Sequence, residues 1–138
     1  MKVLIDTNVI LDVLAKRPPF YSHAEKIFFL AAEEKIEALI TASSVTDIYY
    51  LIRKHLKNSE EAKLTLLKLF TLFQIIDVTG DDCKKALELN LTDYEDALLA
   101  TCARREKVEY IITRNIKDFT SSPVPAILPD HFISTYSF

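Results

Sequence analysis

The chain has 138 residues, of which 49% are hydrophobic and 27% are charged, and its formal net charge is -3. This length and composition predict one domain, 1–138, with its own apolar core, and they exclude a disordered segment. The acidic balance excludes a nucleic-acid binder of globally basic composition, although local clusters of Lys and Arg can still contact phosphate.

The cellular compartment is predicted from what the sequence lacks. No apolar stretch is long enough to span a bilayer, and no signal peptide is visible, so no membrane association is expected. The two cysteines, Cys83 and Cys102, are far apart in the sequence and match neither a secreted disulfide scaffold nor a zinc finger. A reducing, cytoplasmic location is therefore expected.

Five short apolar runs rich in β-forming residues occur along the chain, and they read KVLI, EALIT, QIIDV, EYIIT and PAIL. Segments with helical periodicity separate them at 9–15, 22–34, 45–56, 60–73, 81–89 and 93–107, and a terminal turn is predicted after the last run. This alternation predicts an α/β fold with a parallel sheet and helices on both faces. The single glycine, Gly80, excludes a glycine-rich phosphate loop and a dinucleotide fingerprint.

The first apolar run ends at Asp6. Ligands of open parallel sheets bind beyond the carboxyl ends of the strands, so chain direction places Asp6 at the functional edge. Asp is also a favoured N-cap residue, so Asp6 could equally serve only to cap the following helix. Position alone leaves both interpretations open.

Other polar side chains are predicted to reach the same edge. Asp47 lies near the start of the helix after the second strand, while Asp93 and Asp96 open the helix before the fourth strand and share one helix face. The residues at the end of the fourth strand are Thr113, Arg114 and Asn115, and they bring a hydroxyl, a cation and an amide to this edge.

Structural explanations exist for acids at helix starts. The macrodipole favours them, and the residues from Thr92 to Glu95 fit a capping box that needs no catalysis. Asp81 and Asp82 also open a helix at this edge, but that helix follows the third strand. With the strand order 3-2-1-4-5 it would lie about 10 Å from the first strand, at roughly 4.8 Å per strand, so both acids are predicted to be structural.

Carboxylates that lie close together repel unless a cation or a shared proton compensates. Oxygen ligands favour Mg²⁺ or Mn²⁺, and such an ion can activate water for hydrolysis of a phosphodiester. Convergence of the acids therefore favours a metal-dependent hydrolase.

Four segments, LIDTNVILD, SSVTDIYYLIRK, DYEDALLATCA and YIITRNIKDF, together resemble the PIN-domain family in their order and spacing, over essentially the whole chain. The bacterial toxin components of toxin-antitoxin pairs are the members that the chain resembles most. The resemblance implies a PIN-like five-stranded parallel sheet and a metal-dependent ribonuclease that cuts single-stranded RNA to leave 5′-phosphate ends. It also implies a homodimer and an inhibitory antitoxin protein.

The resemblance carries over residue by residue. Asp6 matches the first family acid, Asp96 matches the acid before ALLA, and Thr113 with Asn115 matches the T-x-D/N element. Asp47 stands where many relatives have glutamate, and Asn115 stands at the fourth acidic position. The first departure shortens one acidic side chain, and the second removes one negative charge from the acidic set.

The resemblance thus implies that Asp6, Asp96 and Asp47 hold Mg²⁺ or Mn²⁺, and that Asp93 restores the carboxylate that Asn115 lacks. Supporting hydrogen bonds are expected from Thr7, Asn8 and Thr113. Two further acids are expected to lie outside the ligand set: Asp12 as a solvated or supporting acid, and Asp118 as a surface acid.

Cations near the acids are expected to contact RNA, and the candidates are Arg114, Lys16 and Arg17. Six aromatic residues could form an antitoxin groove, a dimer seam or simply core, namely Phe20, Tyr21, Phe28, Phe29, Tyr49 and Tyr50.

Two alternatives to a ribonuclease are open. The first is a noncatalytic PIN-like module that binds RNA or an antitoxin through a degenerate metal site. The second is a phosphatase of haloacid-dehalogenase type, which would place a nucleophilic Asp at a similar strand end. The sequence DTN lacks the D-x-D pair of that family and disfavours it.

Overall fold

The computed structural model describes residues 1–136 and contains a five-stranded parallel sheet with the order β3-β2-β1-β4-β5. The strands are β1 (Lys2–Ile5), β2 (Glu37–Thr41), β3 (Gln74–Ile76), β4 (Tyr110–Ile112) and β5 (Ala126–Ile127). All four pairings are parallel. The predicted fold class and strand order are confirmed.

The helices lie between the strands and after β5. They are α1 (Thr7–Leu14), α2 (Tyr21–Ala32), α3 (Ala42–Leu56), α4 (Ser59–Leu72), α5 (Gly80–Ala86), α6 (Tyr94–Arg105) and α7 (Pro129–Thr135), with a 3₁₀ turn at Ile116–Phe119. Within residues 1–136, no helix combines the length and apolar content needed to cross a membrane.

The terminal turn predicted after the fifth strand is wrong, because α7 forms there. Pro129 occupies the first turn of α7, where its missing N–H would have no partner within the helix. Phe132 is fully buried and packs edge-on against Tyr110, with ring centroids 6.4 Å apart. Burial of an aromatic side chain therefore fixes a helix that is too short to show a clear periodicity in the sequence.

Both faces of the sheet are covered, as predicted. Val3 and Ile5 point into one core cluster, and Leu4 points into the other. Each of the three is at most 1% exposed, so β1 is buried on both sides. Burial of each such side chain contributes roughly 1.5–3 kcal/mol, which fixes the central strand firmly.

The register of the central strands positions the site. Ile5 lies opposite Ile112, and the Asp6 amide donates to the Ile112 carbonyl at 3.0 Å. The Thr113 amide donates to the Ile127 carbonyl at 3.0 Å. Asp6 and Thr113 therefore leave neighbouring strands side by side at the carboxyl edge.

Candidate active site

Asp6 lies at the centre of a hydrogen-bonded group at this edge. Its Oδ2 accepts a hydrogen bond from the Thr113 hydroxyl at 2.8 Å and a longer one from Asn8 Nδ2 at 3.4 Å. Asn8 Nδ2 also lies 3.3 Å from Thr113 Oγ1, which in turn accepts from the Asn115 amide at 3.1 Å. The group fixes the orientation of the Asp6 carboxylate before any ligand binds.

Asp6 both caps a helix and lies at the carboxyl edge of the sheet. Its Oδ1 accepts from the Thr7 amide at 2.8 Å, so Asp6 caps α1, which begins at Thr7 rather than at residue 9. It also lines a cleft at the carboxyl edge. Burial raises the pKa of Asp6, the hydrogen bonds from Thr113 and Thr7 oppose that rise, and repulsion from nearby carboxylates adds to it.

Asp93 and Asp96 stand at the start of α6. Asp93 is the N-cap residue, and its Oδ1 accepts from the Asp96 amide at 3.1 Å. The predicted capping box of Thr92 and Glu95 is wrong, because the helix begins one residue later. The cap holds the first turn of α6 so that Asp96 lines the same cleft as Asp6.

Two clefts meet at Asp96. The inner cleft, of about 330 Å³, is lined by Asp6, Asp47 and Asp96 together with Thr41 and Ser43. The outer cleft, of about 360 Å³, is lined by Asp93, Asp96, Lys117 and Asp118. Asp96 is thus the carboxylate that both clefts share.

The acids near Asp96 are close enough to change its protonation. Burial, followed by repulsion from Asp93, Asp6 and Asp118, raises the pKa of Asp96 to about 7. Repulsion of this kind is relieved by a cation, and carboxylate oxygens are suitable ligands for Mg²⁺.

The side chains of residues 1–136 do not form a closed metal cage. Within the described residues, no group of three or more His, Cys, Asp or Glu side chains has the arrangement of a metal site. Mg²⁺ commonly keeps several waters and uses only one or two protein carboxylates, so Asp6 and Asp96 still fit such an ion.

The remaining predicted site residues are more exposed than Asp6 and Asp96. Asp47 is exposed on α3, which begins at Ala42 rather than at residue 45. Asn115 is exposed before the 3₁₀ turn, and Asp118 lies within that turn. Asp118 is a surface acid, as expected, but its charge raises the pKa of both Asp6 and Asp96.

The family of the chain follows from comparison with known proteins. The sequence profile described as "PIN domain" matches residues 2–117, which is most of the chain. The chain belongs to the PIN domain family.

Individual relatives of this PIN domain extend the comparison. The protein is 25% identical to Ribonuclease VapC1 of Aquifex aeolicus (strain VF5) over 141 residues, covering 99% of this chain and 96% of that protein. It superposes on the crystal structure of VapBC2 from Rickettsia felis, bound to a promoter DNA fragment, with a TM-score of 0.69 and 22% identity, covering 93% of this chain and 98% of that one.

A second solved structure is a toxin-antitoxin complex from Klebsiella pneumoniae. Its TM-score is 0.66 and its identity is 23%, over 92% of this PIN domain and 97% of that chain. The two structures establish a common fold.

The sequence leaves open whether Asp12 of this PIN domain is a solvated or a supporting acid, and the structure favours the supporting role. It is not solvated, because its side chain is fully buried. Arg114 donates to both of its carboxylate oxygens, from Nε at 2.6 Å and from a terminal nitrogen at 3.2 Å. The sequence could not reveal this pair, since the partners are separated by 102 positions.

The cations predicted to bind RNA have different environments. The guanidinium of Arg114 is committed to Asp12, and its backbone amide donates to Asn8 Oδ1 at 3.3 Å. Arg17 is exposed and lies 3.8 Å from Asp12, while Lys16 is exposed in the same loop. Arg114 therefore supports the hydrogen-bonded group around Asp6, whereas Lys16 and Arg17 face solvent.

Asp81 and Asp82 have the structural roles that were predicted. Asp82 is buried and forms a capping box with Thr79, and Arg105 Nε donates to its carboxylate at 3.0 Å. Burial alone would raise the pKa of Asp82, but hydrogen bonds from Arg105 and Thr79 lower it overall. Asp81 forms an exposed pair with Lys85 at 3.0 Å.

The aromatic residues divide between core and surface. Phe28 is buried and packs edge-on against Phe73, with centroids 5.0 Å apart. Phe20, Phe29 and Tyr50 are exposed. Of these three, Phe20 has a charged partner, because the Arg114 guanidinium lies 4.1 Å from its ring centroid.

Proposed function

We propose that this PIN domain is a ribonuclease that uses Mg²⁺ or Mn²⁺ to hydrolyse phosphodiester bonds of single-stranded RNA, and that it is the toxin of a toxin-antitoxin pair. The observation that carries the proposal is the convergence of Asp6 and Asp96 on one cleft, where burial and neighbouring carboxylates raise the pKa of Asp96 to about 7. The similarity to Ribonuclease VapC1 supports the choice of RNA as substrate.

The proposed ion would be held by Asp6 and Asp96, with Asp47 reaching it from across the inner cleft and Asp93 adding negative charge. When bound, it would supply a water activated for attack on phosphorus and would neutralise charge on the departing 3′-oxygen. Because the 3′-oxygen would be the leaving group, hydrolysis would leave the phosphate on the 5′ end of the downstream product. Because Asn115 is neutral, Asp93 would supply the fourth carboxylate of the site.

The surrounding side chains would keep the carboxylates oriented. Thr113 and the Thr7 amide each hold one oxygen of Asp6, and Asn8 bridges Asp6 to the Arg114 backbone. Hydrogen bonds of this type typically change metal affinity or activity by roughly 10- to 100-fold when removed. We assign Thr7, Asn8 and Thr113 this positioning role.

RNA would approach across the carboxyl edge of the sheet. Lys117 lines the outer cleft, and Lys16 and Arg17 are exposed in the loop after α1. These cations can contact phosphate without a large basic surface. Arg114 would contact phosphate less strongly than these cations, since Asp12 already pairs with its guanidinium.

The experiment is a cleavage assay on an unstructured RNA with increasing Mn²⁺. The wild-type protein is expected to cut the RNA in a saturable, Mn²⁺-dependent manner, and Asp6→Asn and Asp96→Asn are each expected to abolish cutting. Asp81→Asn is the matched control, because it removes an exposed acid that pairs with Lys85. Cutting by both site variants at the wild-type rate would reject the site.

A noncatalytic module is the second candidate. Two observations favour it: Asn115 stands at an acidic family position, and the described residues do not form a three-carboxylate metal site. This candidate predicts that the wild-type protein binds RNA and Mn²⁺ but releases no product. The same assay therefore separates the two candidates.

The proposal includes two protein partners and a compartment. An antitoxin is suggested by the similarity to the toxin-antitoxin complex from Klebsiella pneumoniae, and a homodimer is suggested by the exposed apolar side chains Leu64, Leu67 and Tyr50. The free cysteines Cys83 and Cys102 suit a reducing cytoplasm. Sedimentation of the purified protein would give its mass, and a monomer at all concentrations would contradict the homodimer.

A further inference from the structure

We propose that the pocket formed by Phe20, Arg114, Leu128 and Pro129 binds one nucleobase of the RNA substrate, next to the nucleotide whose phosphate is cleaved. The inference rests on the proposed function and extends it, because it assigns a base-binding site outside the acidic clefts. The pocket would recognise an unstacked base, which is a feature of the substrate that the carboxylates themselves cannot recognise.

The pocket has the size and the lining that a single base requires. Its volume is about 240 Å³, and its walls are mainly apolar and include Pro19, Phe20 and Leu128. The Phe20 side chain is 41% exposed, so part of its surface is available to a ligand. Proteins that bind single strands commonly stack bases on aromatic rings and on guanidinium planes, and this pocket contains both.

Arg114 is held as a rigid part of the pocket. Its guanidinium lies 4.1 Å from the Phe20 ring centroid, and Asp12 fixes its plane through two hydrogen bonds. Arg17 lies 3.8 Å from the same carboxylate, so two cations share one anion. These three side chains together carry one net positive charge, which is complementary to the phosphates that flank a bound base, and Asp130 adds a negative charge at the pocket wall.

The location connects the pocket to the acidic site. Arg114 follows Thr113, the residue that donates to Asp6, and Leu128 follows the carboxyl end of β5. Strand β5 lies two strands from β1, which corresponds to roughly 10 Å at the usual spacing. A single strand of RNA could therefore reach both the pocket and the inner cleft along one edge of the sheet.

Polar groups at the pocket give it a means of selecting among bases. His23 is half-buried, Asp130 is exposed, and both line the pocket. The Asp130 carboxylate can accept from an exocyclic amine, as acidic side chains do with cytosine. An aromatic side chain of a protein partner could also enter an apolar pocket, but the stacked cation and the shared edge with the acids favour RNA.

The test compares RNA substrates that lack one base at a time. In Mn²⁺, the wild-type protein is expected to lose about tenfold or more in kcat/KM when the base is removed at one fixed position relative to the cut. Phe20→Ala is expected to lose a similar factor on intact RNA and to lose nothing further on that abasic RNA. Such non-additivity would link Phe20 directly to that base.

The controls separate stacking from a general structural effect. Phe29→Ala removes an exposed aromatic side chain within α2, and this variant is expected to cut like the wild type. Phe20→Tyr keeps the ring and is expected to retain the base dependence. Leu128→Trp is expected to fill the pocket and to reproduce the loss on intact RNA, which provides a second variant if Phe20→Ala does not fold.

Three results would overturn the proposal. The first is wild-type cutting that no abasic position alters. The second is a loss on abasic RNA that is as large in Phe20→Ala as in the wild type, so that the effects of the two changes add. The third is normal cutting by Phe20→Ala with weakened inhibition by an antitoxin, which would assign the pocket to a protein. A wild-type protein that cuts no RNA at all would instead refute the proposed function, and the base site with it.

Discussion

The hydroxyl of Thr113 donates to the carboxylate of Asp6 at 2.8 Å, across two neighbouring parallel strands. The contact joins residues that are 107 positions apart, and it exists because Ile5 and Ile112 lie opposite each other in the sheet. The same hydroxyl oxygen accepts from the Asn115 amide. Thr113 therefore couples the orientation of Asp6 to the backbone after β4.

Replacement of Thr113 tests this coupling. Thr113→Val keeps the shape of the side chain but removes the hydroxyl, so the pKa of Asp6 should rise further and its orientation should loosen. We expect Mn²⁺-dependent RNA cleavage to fall roughly 10- to 100-fold in kcat/KM. Thr113→Ser restores the donor and is expected to recover most of the rate, whereas equal rates in the Val and Ser variants would contradict the role of the hydroxyl.

The ion pair between Asp12 and Arg114 is expected to stabilise the fold. Asp12→Asn removes the charge from a fully buried side chain and leaves the guanidinium without its counter-ion. Loss of one partner of a buried pair typically costs 3–5 kcal/mol, and because Arg114 is partly exposed we expect about 3 kcal/mol in the free energy of unfolding. Urea denaturation at neutral pH measures this quantity.

The matched control for Asp12→Asn is Asp81→Asn. Asp81 also pairs with a cation, Lys85, but both side chains are exposed. Exposed pairs contribute little, so the control should lose less than about 1 kcal/mol. Equal losses in the two variants would show that the burial of Asp12 has no energetic consequence.

The raised pKa of Asp96 predicts an unusual dependence of stability on pH in the metal-free protein. Burial and the neighbouring carboxylates raise its pKa to about 7, above the value of about 3.9 for an unfolded chain. Between these two values the folded state binds a proton that the unfolded state does not, so stability should fall as pH rises. Allowing for partial exposure, we expect a fall of about 1 to 2 kcal/mol between pH 4 and pH 7 from this residue.

Denaturation in EDTA across this pH range tests the prediction. The raised pKa of Asp6 acts in the same direction, so the wild-type slope contains contributions from both residues. Asp96→Asn should flatten the slope and make the metal-free protein more stable at pH 8. Glu88→Gln, which changes an exposed acid elsewhere, should leave the slope unchanged. A slope that is identical in Asp96→Asn and in the wild type would refute the assignment.

Much of the architecture could be predicted from the sequence. Val3, Leu4 and Ile5 form an unbroken apolar run because β1 is buried on both faces, and Asp6 marks its end for the same reason. Chain direction then places the starts of α3 and α6 at the same edge. The order and parallel arrangement of the five strands are confirmed.

The sequence did not reveal two features of the structure. One is a contact between residues far apart along the chain, and the other is a short helix. The sequence leaves open whether Asp12 is solvated or supports another residue, because its partner Arg114 lies 102 positions away. Helix α7 has only 7 residues, too few for a clear period, and its stability comes from the burial of Phe132. An acid within an otherwise apolar stretch of helix, as Asp12 is between Leu11 and Val13, is the one signal that could have indicated a buried pair.

The central claim is that Asp6 and Asp96, brought together from β1 and α6, share one divalent cation. Direct measurement of Mn²⁺ binding by electron paramagnetic resonance, with wild-type protein, Asp6→Asn, Asp96→Asn and the control Asp81→Asn, tests it without reference to RNA. We predict that the wild type and the control bind Mn²⁺ alike and that each site variant loses at least about tenfold in affinity. Equal affinity in all four proteins would contradict the claim.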